Sequence, residues 1–474
     1  MAWLARRRFF SKVFQALKGD GRLRDQIGKG EVNMGRRTAH RVFRLVTLNQ
    51  AASHPTVACL LRRLPKAGLL STLLCWGMAW GAPACDADNG GLTLPAGLCA
   101  LVVADQLGSV RHLVVRDNGD IYLMLLQGRH GVMGLRDENG DGRMDRRVAF
   151  GSPGTGIALE GKTLYTATDR AVLRWKLGEG LEPEGPAHTV VGRLPAQVVH
   201  SAKSIAVGGR YLYVNIGAPS NSCQKVDRAA GSRGQDPCPL LADHAGIWRF
   251  AKNGEDQRQQ DGLHYATGIR NAVAIDWNTR EQKLYVVQHG RDQLAQSWPQ
   301  FYSEQQGADL PAEEMLAVHQ GDDYGWPYCY FDPFQDKRIL APEYGGDGTM
   351  VGRCDAYRRP VLSFPAHWAP NDLLFYRGEV LGVDYANGAF VAFHGSWNRA
   401  PLHQGGYVVA FVPFGDEGPV GTWQVFASGF AGAEPLAQPG DAAHRPMGLA
   451  LGPDGALYIS DSVKGTIWRV IRSP

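Results

Sequence analysis

DNGDIYLML (117–125), EGKTLYTAT (160–168), GGRYLYVNI (208–216), REQKLYVVQ (280–288), ANGAFVAFH (386–394) and PDGALYISD (453–461) are six copies of one pattern. Each is a turn, usually with Gly, followed by a β-rich strand with Tyr or Phe at its centre. Most follow a short apolar strand: HLVVR, GIAL, KSIAV, AVAID or MGLAL. A strand, a tight turn and an aromatic-centred strand make the middle of a four-stranded propeller blade. The central aromatics Tyr122, Tyr165, Tyr213, Tyr285, Phe390 and Tyr458 are 43, 48, 72, 105 and 68 residues apart. A bare blade takes roughly 40–50 residues, so the later blades carry insertions, chiefly 218–262 and 291–370. The expectation is an all-β chain: a six-bladed β-propeller with long disulfide-stapled loop insertions. A pair of β-sandwiches is the alternative, disfavoured because one cassette recurs six times. No continuous helical pattern runs between 92 and 474.

Outward from the repeats, charge divides the 474-residue chain. Residues 1–66 hold 15 Lys/Arg against three acids, whereas from Cys85 onward 35 basic residues face 43 acidic ones. The body is therefore acidic, which argues against nucleic acid as a partner, since phosphate backbones need a cationic surface. Leu61-Arg62-Arg63-Leu64-Pro65-Lys66, the apolar run Ala67–Trp80 and Ala82-Pro83-Ala84 read in order as the regions of a secretory signal. The apolar run is too short for a membrane span. Residues 1–84 are thus expected to be leader and signal peptide, with 85–474 the catalytic propeller in the periplasm or secreted. Residues 1–56 read as a mis-called start, because initiation at Val57 gives a signal of ordinary length; Met34 gives a longer one. Lipidation of Cys85 is the alternative, against which Pro83 speaks.

Six cysteines follow the signal: Cys85, Cys99, Cys223, Cys238, Cys329 and Cys354. Six allow fifteen pairings. Pairing between sequence neighbours, 85–99, 223–238 and 329–354, closes short loops suited to an oxidising compartment. A zinc site is the weaker reading, as no CxxC occurs.

Several charged residues recur just before or after the inner strands: His200, Arg270-Asn271, His289-Gly290-Arg291, Arg399 and Arg445. Singly, each reads as a solvated rim residue. Together they bring arginines of three blades to one end of one channel, an electropositive pocket suited to a polyanionic small ligand.

GIRNAVAIDW (268–277), DDYGWPYCY (322–330), AHWAP (366–370) with FY (375–376), FHGSWNR (393–399) and HRPMGLALGPDGALYISD (444–461) carry a family likeness. Over roughly residues 92–472 the chain resembles the pyrroloquinoline quinone (PQQ)-dependent sugar dehydrogenases. It is most similar to the sorbosone and pyranose dehydrogenases, and more distantly to soluble glucose dehydrogenase. The resemblance implies His200 as general base on the anomeric hydroxyl, a role that a pKa near 6.5 suits. It implies Arg270 beside the quinone carbonyl that receives the hydride, stabilising oxyanion charge. Asn271 is implied as a cofactor contact, Arg399 and Arg445 as clamps on PQQ carboxylates, and Tyr324 as a wall of the pocket. It further implies a calcium bound by the main-chain oxygens of Gly290 and Arg291. The implied partners are a sugar substrate, an aldose or related aldehyde, and an external electron acceptor, cytochrome or quinone, since no CxxCH haem motif is present. The chain departs from the family in four places. Asn398 stands where the glucose enzymes have lysine, and Lys203 where relatives often have Arg. GSPGTGIALEG lacks a polar cofactor contact, and GAPSNSCQ replaces an expected aspartate. Glucose specificity therefore does not transfer.

DENGDGRMD (137–145) offers oxygens at alternate positions: Asp137, Asn139, Asp141 and Asp145. That is the start of an EF-type calcium loop without its bidentate Glu, and equally a solvated hairpin tip. Trp326 reads as part of a packed turn that Cys329 anchors. Two other functions stay open: a lactonase-type propeller using a carboxylate-held metal, and a non-catalytic propeller that binds carbohydrate or protein.

Overall fold

The computed structural model describes residues 85–399, 402–432 and 434–473; the leader, signal and start-site expectations lie outside them. Six four-stranded antiparallel units form as the cassettes predict, and all six central aromatics lie on second strands, each at most 5% exposed. The inner strands are Val110–Val115, Gly156–Glu160, Ile205–Gly208, Ala274–Asn278, Pro370–Tyr376 and Pro446–Leu451. They stand side by side in a closed ring, each packing on the next. Leu98–Ala104 closes it by pairing with Ile467–Arg472, so the two ends of the propeller share the sixth blade. Without that closure the first and last blades would present unpaired edges. Between neighbouring blades lie apolar seams. One packs Tyr285, Phe375 and Phe414 together between the fourth and fifth blades; another packs Phe390, Phe411 and Trp468 between the fifth and sixth.

The insertions are where the sequence places them. In the third blade, 217–245 separates the second and third strands; in the fourth, 289–312 separates the second and third strands and 319–361 the third and fourth. Asp322–Asp323 pairs in parallel with Leu263–Thr267 and carries the second of these loops back to the channel mouth. There it folds into the hairpin Cys329–Asp332 with Lys337–Leu340. All three expected disulfides form: Cys85–Cys99, Cys223–Cys238 and Cys329–Cys354. The last two share one buried cluster with Trp326 and Tyr328, and the Cys238 amide donates to the Tyr328 hydroxyl at 2.8 Å. The two insertions thereby brace each other beside the channel mouth. The longest helix among the described residues is Glu304–Asp309, and no helix there is long and apolar enough to cross a membrane.

Candidate active site

A cavity of about 420 Å3 sits at the end of the channel that the insertions surround, lined by His200, Arg270, Asn271, His289, Gly290 and further residues named below. His200 has a left-handed backbone, φ +54°, uncommon for a residue with a Cβ. Gln197 holds it there, its amide nitrogen lying 3.0, 2.9 and 2.8 Å from the carbonyls of Val199, His200 and Gly217. His200 Nδ1 lies 2.6 Å from the Ala218 carbonyl. A carbonyl only accepts, so Nδ1 carries the proton and Nε2 keeps its lone pair. Burial, then the charge of Arg270, holds the imidazole well below its usual pKa, so it is neutral at pH 7. Gly217 is required here: a Cβ would come within 2.8 Å of His200 Cβ and 2.7 Å of Asn271 Oδ1.

Arg270 is fixed at the entry to the fourth inner strand. Its Nε and Nη2 donate to the carbonyl and side-chain oxygens of Asn221 at 3.1 and 3.0 Å, and Nη2 also to Asp292 at 2.9 Å. Asp292 also accepts from Arg228 at 3.0 Å and Asn398 at 2.9 Å. Burial alone would raise its pKa; the charges of Arg270, His367 and Arg228 outweigh that and bring it to about 2. Asn221 is fully buried and also accepts from Trp326 Nε1 at 3.0 Å. Through it the disulfide-braced insertions position Arg270. Asn271 accepts from Asn215 at 3.1 Å. The Gly290 amide donates to Glu313 Oε2 at 2.7 Å, and burial pushes that carboxyl up to about 8.

Three expected residues fall elsewhere. Arg399 does not line the cavity; its guanidinium donates to Ala308 O at 2.6 Å and pairs with Asp309 at 3.4 Å, tying the fifth blade to the Glu304–Asp309 helix. Its neighbour Asn398 faces the cavity instead, with a buried Oδ1 that has no described partner. Arg445 is likewise consumed, donating to the carbonyls of His394, Gly395 and Ser396 and lying over Tyr407. Tyr324 is a core residue whose hydroxyl donates to Ala317 O at 2.7 Å. The Arg291 side chain leaves the cavity to form a buried two-oxygen pair with Glu343, but its carbonyl and that of Gly290 accept no hydrogen bond from a described residue. Trp326 is the packed turn residue expected of it.

Asp137, Asn139, Asp141 and Asp145 do not assemble a calcium loop. Their oxygens accept the loop's own amides: Gly140 and Gly142 on Asp137, Asp141 on Asn139, Arg143 on Asp141, Glu138 on Asp145. Among the described residues, no three His, Cys, Asp or Glu side chains converge on a metal position. The loop has the form of a hairpin tip, and no carboxylate set of the kind a lactonase-type reading needs converges among the described residues.

Arg111 was not anticipated. It lines the cavity, its guanidinium makes no hydrogen bond to a described residue, and its Nε is buried and unpartnered. Burial lowers its pKa to about 10, leaving it charged. The sequence carries a signal for it: like Arg445, Arg111 stands at the start of an inner strand, directly before the apolar run HLVVR. His367, Asp292, Glu313 and Asn221 also went unassigned, since only the fold brings them to one point.

A family profile described as TrAA12-like matches residues 92–473. The chain belongs to the TrAA12-like family. Among curated proteins it is 26% identical over 286 residues to a PQQ-dependent pyranose dehydrogenase of Coprinopsis cinerea, a stretch covering 51% of this chain and 37% of that protein. It is 25% identical over 208 residues, 43% of this chain and 48% of the relative, to an uncharacterised protein of Borreliella burgdorferi. The chain thus spans less than half the length of these curated relatives. Among solved structures, the calcium structure of the Trichoderma reesei family AA12 carbohydrate-active enzyme superposes with TM-score 0.65 at 20% identity, covering 81% of this chain and 97% of that one. The holo PQQ domain of the Coprinopsis cinerea pyranose dehydrogenase gives 0.63 at 19% identity, covering 80% and 97%. At such identity these two establish the fold.

Proposed function

We propose that this TrAA12-like propeller is a PQQ-dependent oxidoreductase that oxidises the anomeric hydroxyl of a sugar, an aldose or related hemiacetal. The observation that carries the reading is the pairing, in one cavity, of a neutral imidazole with a free Nε2 and a partly buried guanidinium without a described partner. The first suits a base; the second, a ligand carboxylate. Family membership and the pyranose dehydrogenase relative supply the cofactor's identity. The residues present fit it: Arg111 offers uncommitted donors, Arg270 and Asn271 flank the base, and the Gly290 and Arg291 carbonyls are free to hold a hard cation such as calcium. When bound, PQQ would supply an ortho-quinone that accepts the two electrons as one hydride. The chain's own part is positional and acid–base. His200 Nε2 accepts the hydroxyl proton as the anomeric C–H is lost, the product being the lactone. Arg270, fixed by Asn221 and Asp292, stabilises oxygen-centred negative charge without reorganising. Electrons leave to an external acceptor, cytochrome or quinone, and the protein works in the periplasm or secreted, in keeping with its three disulfides.

The test is titration of the purified protein with PQQ and calcium, followed by dye reduction with a panel of aldoses. Cofactor-dependent turnover that His200→Ala abolishes while PQQ still binds is the expected result. Absence of PQQ binding overturns the reading and leaves a propeller that binds carbohydrate or protein without redox chemistry.

A further inference from the structure

A second opening adjoins the cavity. It is a groove of about 660 Å3 that shares Leu126, Thr155, Ser201 and Ala202 with it, so the two are continuous, and Ser201 follows the base in the chain. The groove lies over the second blade for a plain reason. The third, fourth and fifth blades raise long loops around the channel, while the second turns back at this end through only Thr168–Ala171. The wall is missing on that side.

Its chemistry narrows the occupant. Leu126, Leu173, Pro153 and Val198 give apolar surface, with Val198 98% exposed at the edge. Ser152 and Thr155 add hydroxyls, and Gln197 Oε1 is a buried acceptor without a described partner. The groove presents little net charge. Asp169 and Arg170 face each other at 3.8 Å, and Lys203 is fully buried with its ammonium on Ser201 O at 3.0 Å. Apolar faces interspersed with neutral donors and acceptors complement a sugar ring, whose C–H faces are apolar and whose edges carry hydroxyls. Among the described residues of the groove, the cations are Arg170, which faces Asp169, and the buried Lys203. The neighbouring cavity must already hold a cofactor and the ring being oxidised.

We infer that the groove is a second sugar subsite, and that the substrate is the reducing end of an oligosaccharide of neutral units. This rests on the dehydrogenase reading above. The experiment uses the protein loaded with PQQ and calcium, and compares kcat/KM for matched pairs: glucose with cellobiose and maltose, xylose with xylobiose, mannose with mannobiose. In at least one pair the disaccharide should exceed the monosaccharide tenfold or more. Ser152→Trp and Ala171→Trp, which fill the groove from two sides, should bring that ratio close to one. Equal values in every pair, or a ratio that survives both substitutions, overturn the inference. Saturation-transfer NMR with the same disaccharides reads the groove without turnover: both rings should receive saturation in the unaltered protein and the reducing ring alone in the Trp variants. No saturation of the second ring overturns the subsite. Two-ring contact without any turnover instead overturns the dehydrogenase reading and leaves the subsite standing.

Discussion

Replacing Gln197 with methionine keeps the length of the side chain and removes the amide that spans the carbonyls of Val199, His200 and Gly217. Two N–H groups serve three acceptors, so the clamp contributes about 1–3 kcal/mol at a net 0.5–1.5 kcal/mol per hydrogen bond. Against it stands the left-handed backbone of His200, φ +54°, which costs about 1–2 kcal/mol in a residue with a Cβ. The two quantities are comparable, so the clamp decides whether the base stays where it can act. Losing about 2 kcal/mol of bias cuts the competent population roughly 30-fold. Gln197→Met should therefore lower kcat about 10- to 30-fold with the PQQ dissociation constant unchanged, because the residues proposed to hold the cofactor do not touch Gln197. Steady-state dye reduction and fluorescence titration with PQQ measure both quantities. Gln197→Glu, which keeps the shape and loses the same donors, should behave alike, and urea unfolding separates the effect from general loss of fold. A kcat within twofold of the parent, or a PQQ affinity that falls in step with kcat, refutes the clamp.

Arg111→Met should weaken PQQ binding by about 1.5–3 kcal/mol, the range for a hydrogen bond to a charged group, roughly 10- to 150-fold. Arg399→Met and Arg445→Met should lower stability but leave PQQ affinity within about twofold, since both guanidiniums already serve protein carbonyls; equal losses in all three would place the cofactor differently. The acid limb of kcat/KM should lie below pH 6.5, because burial and Arg270 depress the His200 pKa and the base is lost only when that imidazole is protonated; a limb at or above 6.5 contradicts this. Asp141→Asn should leave the calcium dependence of the melting temperature unchanged, as its carboxylate already accepts the Arg143 amide; a lowered dependence would restore the calcium loop.

The blades, their number and the disulfide pairing were legible because each depends on short-range pattern: an aromatic every blade, a turn before it, cysteines 14 to 25 residues apart. His200, Arg270, Asn271 and Gly290 were legible because they flank the first or second strands of their blades, whose ends a propeller brings to one mouth. What the sequence could not decide was direction. Arg399 and Arg445 sit at the right positions and point away, because the Ala308 carbonyl and Asp309 carboxylate hold the first and the carbonyls of 394–396 hold the second. Arg111 points in because nothing nearby accepts from it. Asn221 and Asp292 are 71 residues apart and meet only through folding of the insertions. The missing aspartate in GAPSNSCQ was read as a gap, whereas Asn221 within it organises the site.

Along the channel, side chains of one blade hydrogen-bond to the inner-strand backbone of the next. Asp276 accepts Phe375 N–H at 2.8 Å, Asp372 accepts Leu449 N–H at 2.8 Å, and Ser460 donates to the Arg111 carbonyl at 2.8 Å. The last of these bonds fixes the backbone from which the unpaired Arg111 guanidinium extends. These joints have a pH signature. Burial raises Asp276 from 3.8 to about 6, so its ionised form is disfavoured in the folded state. Above pH 6 this costs on the order of 3 kcal/mol of stability, a cost that fades as pH falls toward 4. Asp276→Asn removes that cost but cannot accept both the Trp277 and Phe375 amides as the carboxyl does, which costs about 1–3 kcal/mol for the amide left buried. The substitution should therefore be close to neutral at pH 7 and clearly destabilising at pH 4, the difference from the parent moving by about 3 kcal/mol between them. Urea unfolding at both pH values and constant ionic strength measures it. A difference independent of pH would mean that water reaches Asp276 and that the ring is held by packing alone; Arg111 would then owe its place to the apolar seams.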